Sequence, residues 1–244
     1  MTPARGAAGP EPQSPPRPAL TRDRVLDAAI AFMDERGAQH LTMRRLGESL
    51  EVEAMALYRY VNGREDLLEG VVDRLVSGLT TDPQEAPLGP TDGWQAYLQW
   101  LAHSVRSLAT AHPSIFPLIA TRHPAAPWLR PPLRSLQVVE HFLEALLSRG
   151  FSREQAAHTY RVFTSFLLGH LLLEAATNGA STAPVEEPLD EGDADLPTAD
   201  EQLDLADYPT VTALRPLLSV DRADAEFEQA LEVLLDRLDL ELSQ

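Results

Sequence analysis

The sequence predicts an all-α fold: an N-terminal three-helix head containing a helix-turn-helix, joined by a fourth helix to a larger helical bundle. Apolar residues recur at spacings of three and four along most of the 244 residues, which marks one buried helix face after another. Pro and Gly clusters separate these runs, as breakers between helices do. No segment alternates apolar and polar residues in the way of a half-buried strand.

Residues 1–19, with Pro10, Pro12, Pro15, Pro16 and Pro18, cannot sustain a helix or a ladder and are expected to form a mobile tail. Helix one follows: Val25, Leu26, Ala29 and Met33 share a face, Thr21 caps it, Leu20 and Val25 form a staple, and Gly37 stops it. Thr42 caps a short second helix, Met43 to Leu50, with Leu46 and Leu50 inward. A third runs from Ala54 to Tyr60. Two short helices joined by about three residues must cross steeply, as in a helix-turn-helix. Asn62 is expected to cap the fourth helix, which reaches Leu79 with Leu67, Leu68, Val71, Val72 and Leu75 as its apolar stripe.

The Pro- and Gly-containing break from Thr80 to Asp92 divides a head, residues 20–79, from a body, residues 80–244. In the body, Trp94, Leu98, Leu101, Val105 and Leu108 define a helix ended by Pro113, and a short piece covers Ile115 to Thr121. A helix from Leu133 to Ser148 stops at Gly150. Ser152 and Gln155 form a capping box for a long helix to Asn178, apolar on several sides and therefore covered from more than one direction. Residues 180–207 hold ten acids and no base, which predicts a solvated acidic loop. Helices from Thr210 to Leu218 and from Ala223 to Leu240 close the chain, the last with Phe227, Leu231, Leu234 and Leu238 as its stripe.

Composition removes several classes of function. With no Cys there is no disulfide, thiolate metal site or cysteine nucleophile. No apolar run approaches the roughly 18 residues of a spanning helix, and the first 19 residues lack an apolar signal core, so a cytoplasmic protein without a membrane partner is expected. No Gly-rich phosphate loop, His-Glu zinc motif or Ser elbow is found, which argues against an enzyme. The net charge of -17 is unevenly placed: residues 80–244 carry 10 Arg and 25 acids, whereas residues 20–79 carry 8 Arg and 11 acids. An acidic body disfavours non-specific DNA contact without preventing a specific one by the head.

Four segments carry a more specific message. Val25-Leu26-Asp27-Ala28-Ala29, Leu41-Thr42-Met43-Arg44-Arg45-Leu46, Ala56-Leu57-Tyr58-Arg59-Tyr60-Val61 and Arg64-Glu65-Asp66-Leu67-Leu68, in this order and spacing, resemble the DNA-binding head of the tetracycline-repressor (TetR) family over roughly residues 20–75. A recognition helix must bury one face and offer the other to the major groove. Leu57 and Val61 suit the buried face, which leaves Ala54, Met55, Ala56, Tyr58, Arg59 and Tyr60 for DNA. The resemblance adds Thr42 and Tyr58 as backbone contacts, Arg44 as a base or phosphate reader, and Tyr60 and Arg64 as phosphate contacts. The chain departs from the family pattern at Glu51, a turn position that often holds Gly and calls for positive φ, and near Glu53. Both bring negative charge to the head, although Glu53 could accept from a cytosine amino group.

The second part resembles, more loosely, the C-terminal domain of the same family through the Trp94 start, Ala157 to Glu174, and Phe227-Glu228-Gln229-Ala230-Leu231. The resemblance implies a ligand-responsive repressor that binds a palindromic double-stranded DNA operator as a homodimer and is released by a small-molecule effector; the residues themselves offer too few ligands for a metal, and no cofactor is expected. It places Ser152 to Asn178 and Ala223 to Leu240 in the dimer core. Inward aromatic, His and Gln positions of the middle helices, namely Trp100, His103, Phe116, Gln137, His141, Phe163 and His170, are the expected ligand-binding residues. The effector's bulk should be apolar. His170 and Glu174, four apart, are expected to form a hydrogen-bonded pair. The acidic head leaves a second reading open, a helical partner-binding module that has lost DNA affinity.

Overall fold

The computed structural model describes residues 19–81, 93–121, 129–131, 136–181 and 207–242, and within these the only regular structure is helical. The expected tail, nearly all of the break after Leu79, the start of the helix from Leu133 and most of the acidic stretch 180–207 lie outside the described residues.

The head begins with α1 (Arg22–Arg36), where the Thr21 hydroxyl accepts a hydrogen bond from the Arg24 N–H at 3.2 Å and Gly37, at φ 87°, ends the helix. A 3₁₀ turn (Ala38–His40) leads to α2 (Met43–Ser49), capped by the Thr42 hydroxyl accepting from Arg45 N–H at 3.1 Å. Then come α3 (Ala54–Leu57) and α4 (Arg64–Thr81). Val25, Ala29, Met33, Leu41, Leu46, Leu57, Leu67 and Val71 are fully enclosed between them. At roughly 1.5–3 kcal/mol for each large aliphatic side chain, this cluster is the main force holding such short helices together.

The steep crossing is made at Gly47. A Cβ there would stand 2.8 Å from the Val52 carbonyl oxygen and 3.2 Å from the Ala54 nitrogen, while the Gly47 carbonyl accepts from Val52 N–H at 2.9 Å. The turn also requires a left-handed residue, and Glu51 supplies it at φ 55°, as the comparison with the family's usual Gly suggests. Two local expectations are corrected. The third helix is one turn of α-helix followed by a tighter turn through Tyr60, whose N–H reaches the Leu57 carbonyl at 2.9 Å. Asn62 does not cap α4; the Asp66 carboxylate reaches back to the Asn62 N–H at 2.7 Å, and Gly63, at φ 119°, turns the chain into the helix.

The body comprises α5 (Trp94–Ala111), α6 (Phe116–Thr121), α7 (Leu136–Ser148), α8 (Arg153–Thr177), α9 (Pro209–Leu218) and α10 (Ala223–Leu242). The capping box of Ser152 and Gln155 is present. Helix α8 packs against α5, α6, α7 and α10, so its several apolar sides are covered as expected. Phe142 stacks on Phe163 at 5.8 Å between ring centroids in this core. On α10 the enclosed stripe is Phe227, Leu231, Leu235 and Leu238, with Leu234 only half-buried, because a straight helix drifts away from a strict heptad. Helix α4 packs on α5, α6 and α7 and so seats the head on the body.

Gly47→Ala is expected to destabilise the protein by about 1–3 kcal/mol, because the atoms it meets are backbone and cannot step aside. Glu51→Gly should stabilise it by about 0.5–1 kcal/mol by removing left-handed strain. Thermal unfolding of both variants tests the pair of signs.

Candidate nucleic-acid interface

The outer face of α3 is built by difference: Leu57 and Val61 point inward, which turns Met55, Tyr58 and Arg59 to solvent. Met55 is 74% exposed and Tyr58 47% exposed, which puts an apolar and an aromatic side chain together on the open face of the turn. Ala54 and Ala56 flank Met55 and keep the approach open. Thr42 stands at the start of α2; its oxygen is used as the cap acceptor, which leaves the hydroxyl proton to donate outward. Arg44 is well exposed and only loosely paired with Glu48 at 3.8 Å, an arrangement worth little in water.

Arg64 is placed differently from expectation, and Tyr60 is turned partly inward. The Arg64 side chain is only 8% exposed, and its Nε donates to the Leu41 carbonyl at 3.0 Å, so it ties α4 to the segment before α2. Tyr60 is half-buried against the head core, and its carbonyl accepts from Arg22 Nη1 at 2.9 Å. Arg22 also grips Asp66 at 3.2 Å, which makes it a brace behind the recognition turn. The sequence reading missed this brace, because a contact 44 positions apart leaves no local pattern. Arg74 clamps α4 to α1 in the same way, through Asp23 at 3.1 Å and Asp27 at 2.6 Å.

The expected ligand-binding residues divide into three groups. Phe116 and Phe163 are sealed in the body core. Trp100 and His170 are half-buried, and His103, Gln137 and His141 are exposed on the described surface. A half-open groove of about 950 Å³ lies between the end of α8 and the start of α10, lined by His170, Leu173, Glu174 and the turn Ser219–Arg222 among others. His170 does not pair with Glu174 as expected. Arg106 takes the Glu174 carboxylate with Nε at 3.2 Å and Nη2 at 2.8 Å, reaches Asp224 at 2.7 Å, and lies 4.6 Å over the Phe227 ring. A guanidinium offers two aligned donors, and an imidazole does not; His170 packs edge-on to Phe227 instead, at 5.4 Å. Burial pushes the Tyr97 phenol up to about 12 and does the same to Tyr160, so both are neutral hydroxyls in this core.

Comparison with known proteins agrees with this geometry. The family described as "Bacterial regulatory proteins, tetR family" matches residues 25–71, and "Tetracyclin repressor-like, C-terminal domain" matches residues 86–241. The HTH-type transcriptional repressor DrrR1 of Streptomyces coeruleorubidus is 27% identical over 97% of this chain and 83% of its own. The tetracycline repressor protein class E of Escherichia coli is 31% identical over 65% of this chain and 71% of its own. Among solved structures, a possible TetR family transcriptional regulator from Streptomyces coelicolor A3(2) superposes with a TM-score of 0.67 at 29% identity, covering 90% of this chain and 98% of that one.

The brace predicts a pH dependence. The hydrogen bond from Arg22, and after it the Asn62 N–H, hold the Asp66 carboxyl below its ordinary value against the opposing effect of burial. A depressed folded pKa stabilises the protein above the ordinary carboxylate value, about 4, and that contribution disappears as pH falls through the folded value. Urea unfolding from pH 7 downward should therefore show wild type more stable than Asp66→Asn at neutral pH, with the gap closing below about pH 4. A gap that stays constant with pH would contradict this role.

Proposed function

Because the chain belongs to the TetR family of transcriptional regulators, and is not an enzyme, we propose that it is a ligand-responsive repressor that binds a palindromic operator as a homodimer and is released by a small-molecule effector. The observation that carries the reading is the exposed apolar and aromatic face of α3, Met55 and Tyr58, braced from behind by Arg22 and flanked by Arg44 and Arg59. Residues 20–79 form the DNA-binding unit in this proposal. Ala54, Met55 and Ala56 meet base edges and thymine methyls; Thr42, Tyr58, Arg59 and Tyr60 meet the phosphate backbone, and Arg44 reads a base or a phosphate. Arg64 acts from inside, by fixing the position of α2.

Residues 80–244 are the ligand-binding and dimerisation unit. Helix α9 has no buried residue in the single chain and exposes Val211, Leu214, Leu217 and Leu218, while Leu173 on α8 and Val233 and Leu240 on α10 are equally bare. Apolar surface of this extent supports a second copy as its cover. The effector enters among the middle helices, beside Trp100, His103, Phe116, Gln137, His141, Phe163 and His170, with its bulk against apolar walls. Its entry changes the spacing of the two heads and mismatches them to half-sites in successive major grooves. Among the described residues no helix is long and apolar enough to cross a membrane, in keeping with work on DNA in the cytoplasm.

A gel shift with the region upstream of the protein's own gene, at two salt concentrations, tests the proposal. Specific binding should weaken with salt yet survive competitor DNA, and Arg44→Ala should weaken it by about 1–3 kcal/mol. Absence of a shift at low salt would leave a partner-binding module as the better account.

A further inference from the structure

We propose that the hydrogen bond between His112 and Asp34 is a polar latch that fixes the orientation of the head on the body, making His112 a positioning residue for DNA binding. The inference rests on the regulator reading and gives its coupling a named contact. His112 Nδ1 lies 2.8 Å from Asp34 Oδ2, across 78 positions of sequence. The two side chains are 23% and 29% exposed, so the contact lies at the edge of the head–body junction, and an ionised carboxylate can only accept, so the ring nitrogen donates.

Asp34 sits in the last turn of α1, where a carboxylate faces the negative end of the helix and needs a compensating donor. The neighbouring Arg36 is turned to Glu35, at 3.9 Å, and to the Phe32 ring, at 5.3 Å. His112 meets the need from the body. Its own position is set by the corner between α5 and α6: its N–H closes α5 on the Leu108 carbonyl at 3.0 Å, and its carbonyl accepts from Ile115 and Phe116 N–H at 3.0 and 2.9 Å. Ile115 and Phe116 are fully buried, so a rearrangement of the core beneath α6 moves His112 with it.

Helix α4 seats the head through its packing on α5, α6 and α7, which is apolar contact made on one helix of the head. The contact on α1 is a directional, polar point on a second helix of the head, and it narrows the orientations that the α4 packing allows. Rotation of each head is what sets the separation of two recognition helices.

The chain has no Cys, so spin labels can be attached only where Cys is introduced. Gln39→Cys on the head and Glu144→Cys on α7 are both exposed sites. Labelled full-length chain diluted into excess unlabelled chain reports the distance within one copy, whatever the oligomeric state. The wild type should give a narrow distribution. His112→Ala and Asp34→Ala should each broaden it, the double variant should broaden it no further, and His112→Asn, which keeps a donor near the Nδ1 position, should restore it. On a duplex selected from a random library by the wild type, the two Ala variants should lose about three- to tenfold in affinity, with unchanged circular dichroism. Identical narrow distributions in all variants, or additive broadening in the double variant, would overturn the latch, as would broadening with unchanged affinity. A wild type that selects no duplex at all would instead sink the repressor reading, while the distances still judge the latch.

Discussion

The close approach at Gly47 is the constraint on which the interface depends. The backbone of α2 passes near enough to the following turn for its carbonyl to accept from Val52, and only a residue without a side chain allows the contact. That contact fixes the angle at which α3 leaves, hence which of its residues face outward. An α-helix of four residues has no stability of its own, so the face of Met55 and Tyr58 is a property of the enclosed cluster behind it, of Leu46, Leu57 and Val61 together. Glu51 shows the same constraint from the other side. The turn demands a left-handed residue, and the fold imposes that conformation on a side chain that resists it.

Arginine supplies polar ties between helices in the described head and part of the body, on top of the apolar packing. Arg22, Arg64, Arg74 and Arg106 each join segments distant in sequence through two or more acceptors. The planar fork suits this use, since it can serve a carbonyl and a carboxylate together. The consequence for function is that a count of arginines overstates the positive charge available to DNA, since several point inward or are neutralised by neighbouring acids.

Much of this arrangement was legible in the sequence. Helix positions followed from caps and breakers, as at Thr21, Thr42, the Ser152 and Gln155 box and Gly37, because these are local chemistry within one turn. The positive φ at Glu51 was legible because the family pattern marks the position. Arg64 was not: its motif position suggested an outward phosphate contact, and its inward hydrogen bonds depend on where the Leu41 carbonyl lies after folding. Asp66 shows the same limit, since its bonds to the Asn62 N–H and to Arg22 depend on where α1 and the turn lie after folding. The body was less legible still. Aromatic and His residues on helical faces belong equally to a core or to a pocket, and Phe163 and His170 went opposite ways.

For the proposed repressor, the charge balance bears on how the head would be released. Beside the exposed face of α3, Arg44, Arg45 and Arg59 stand against Glu48, Glu51 and Glu53, so little net positive charge remains to hold phosphate without regard to sequence. Affinity must then come from shape and base-edge contacts, each of which is lost when a helix tilts in the groove. An effector typically commands only about 1–3 kcal/mol of coupling. Against a strongly basic head that would leave substantial non-specific attachment; against a nearly neutral one, the same tilt removes most of what binds. The acidic body adds to this, because it repels the backbone once the specific contacts are gone. The unfavourable charge of the chain as a whole is therefore consistent with the proposed DNA binding, and it would make the proposed bound state sensitive to small changes of head orientation.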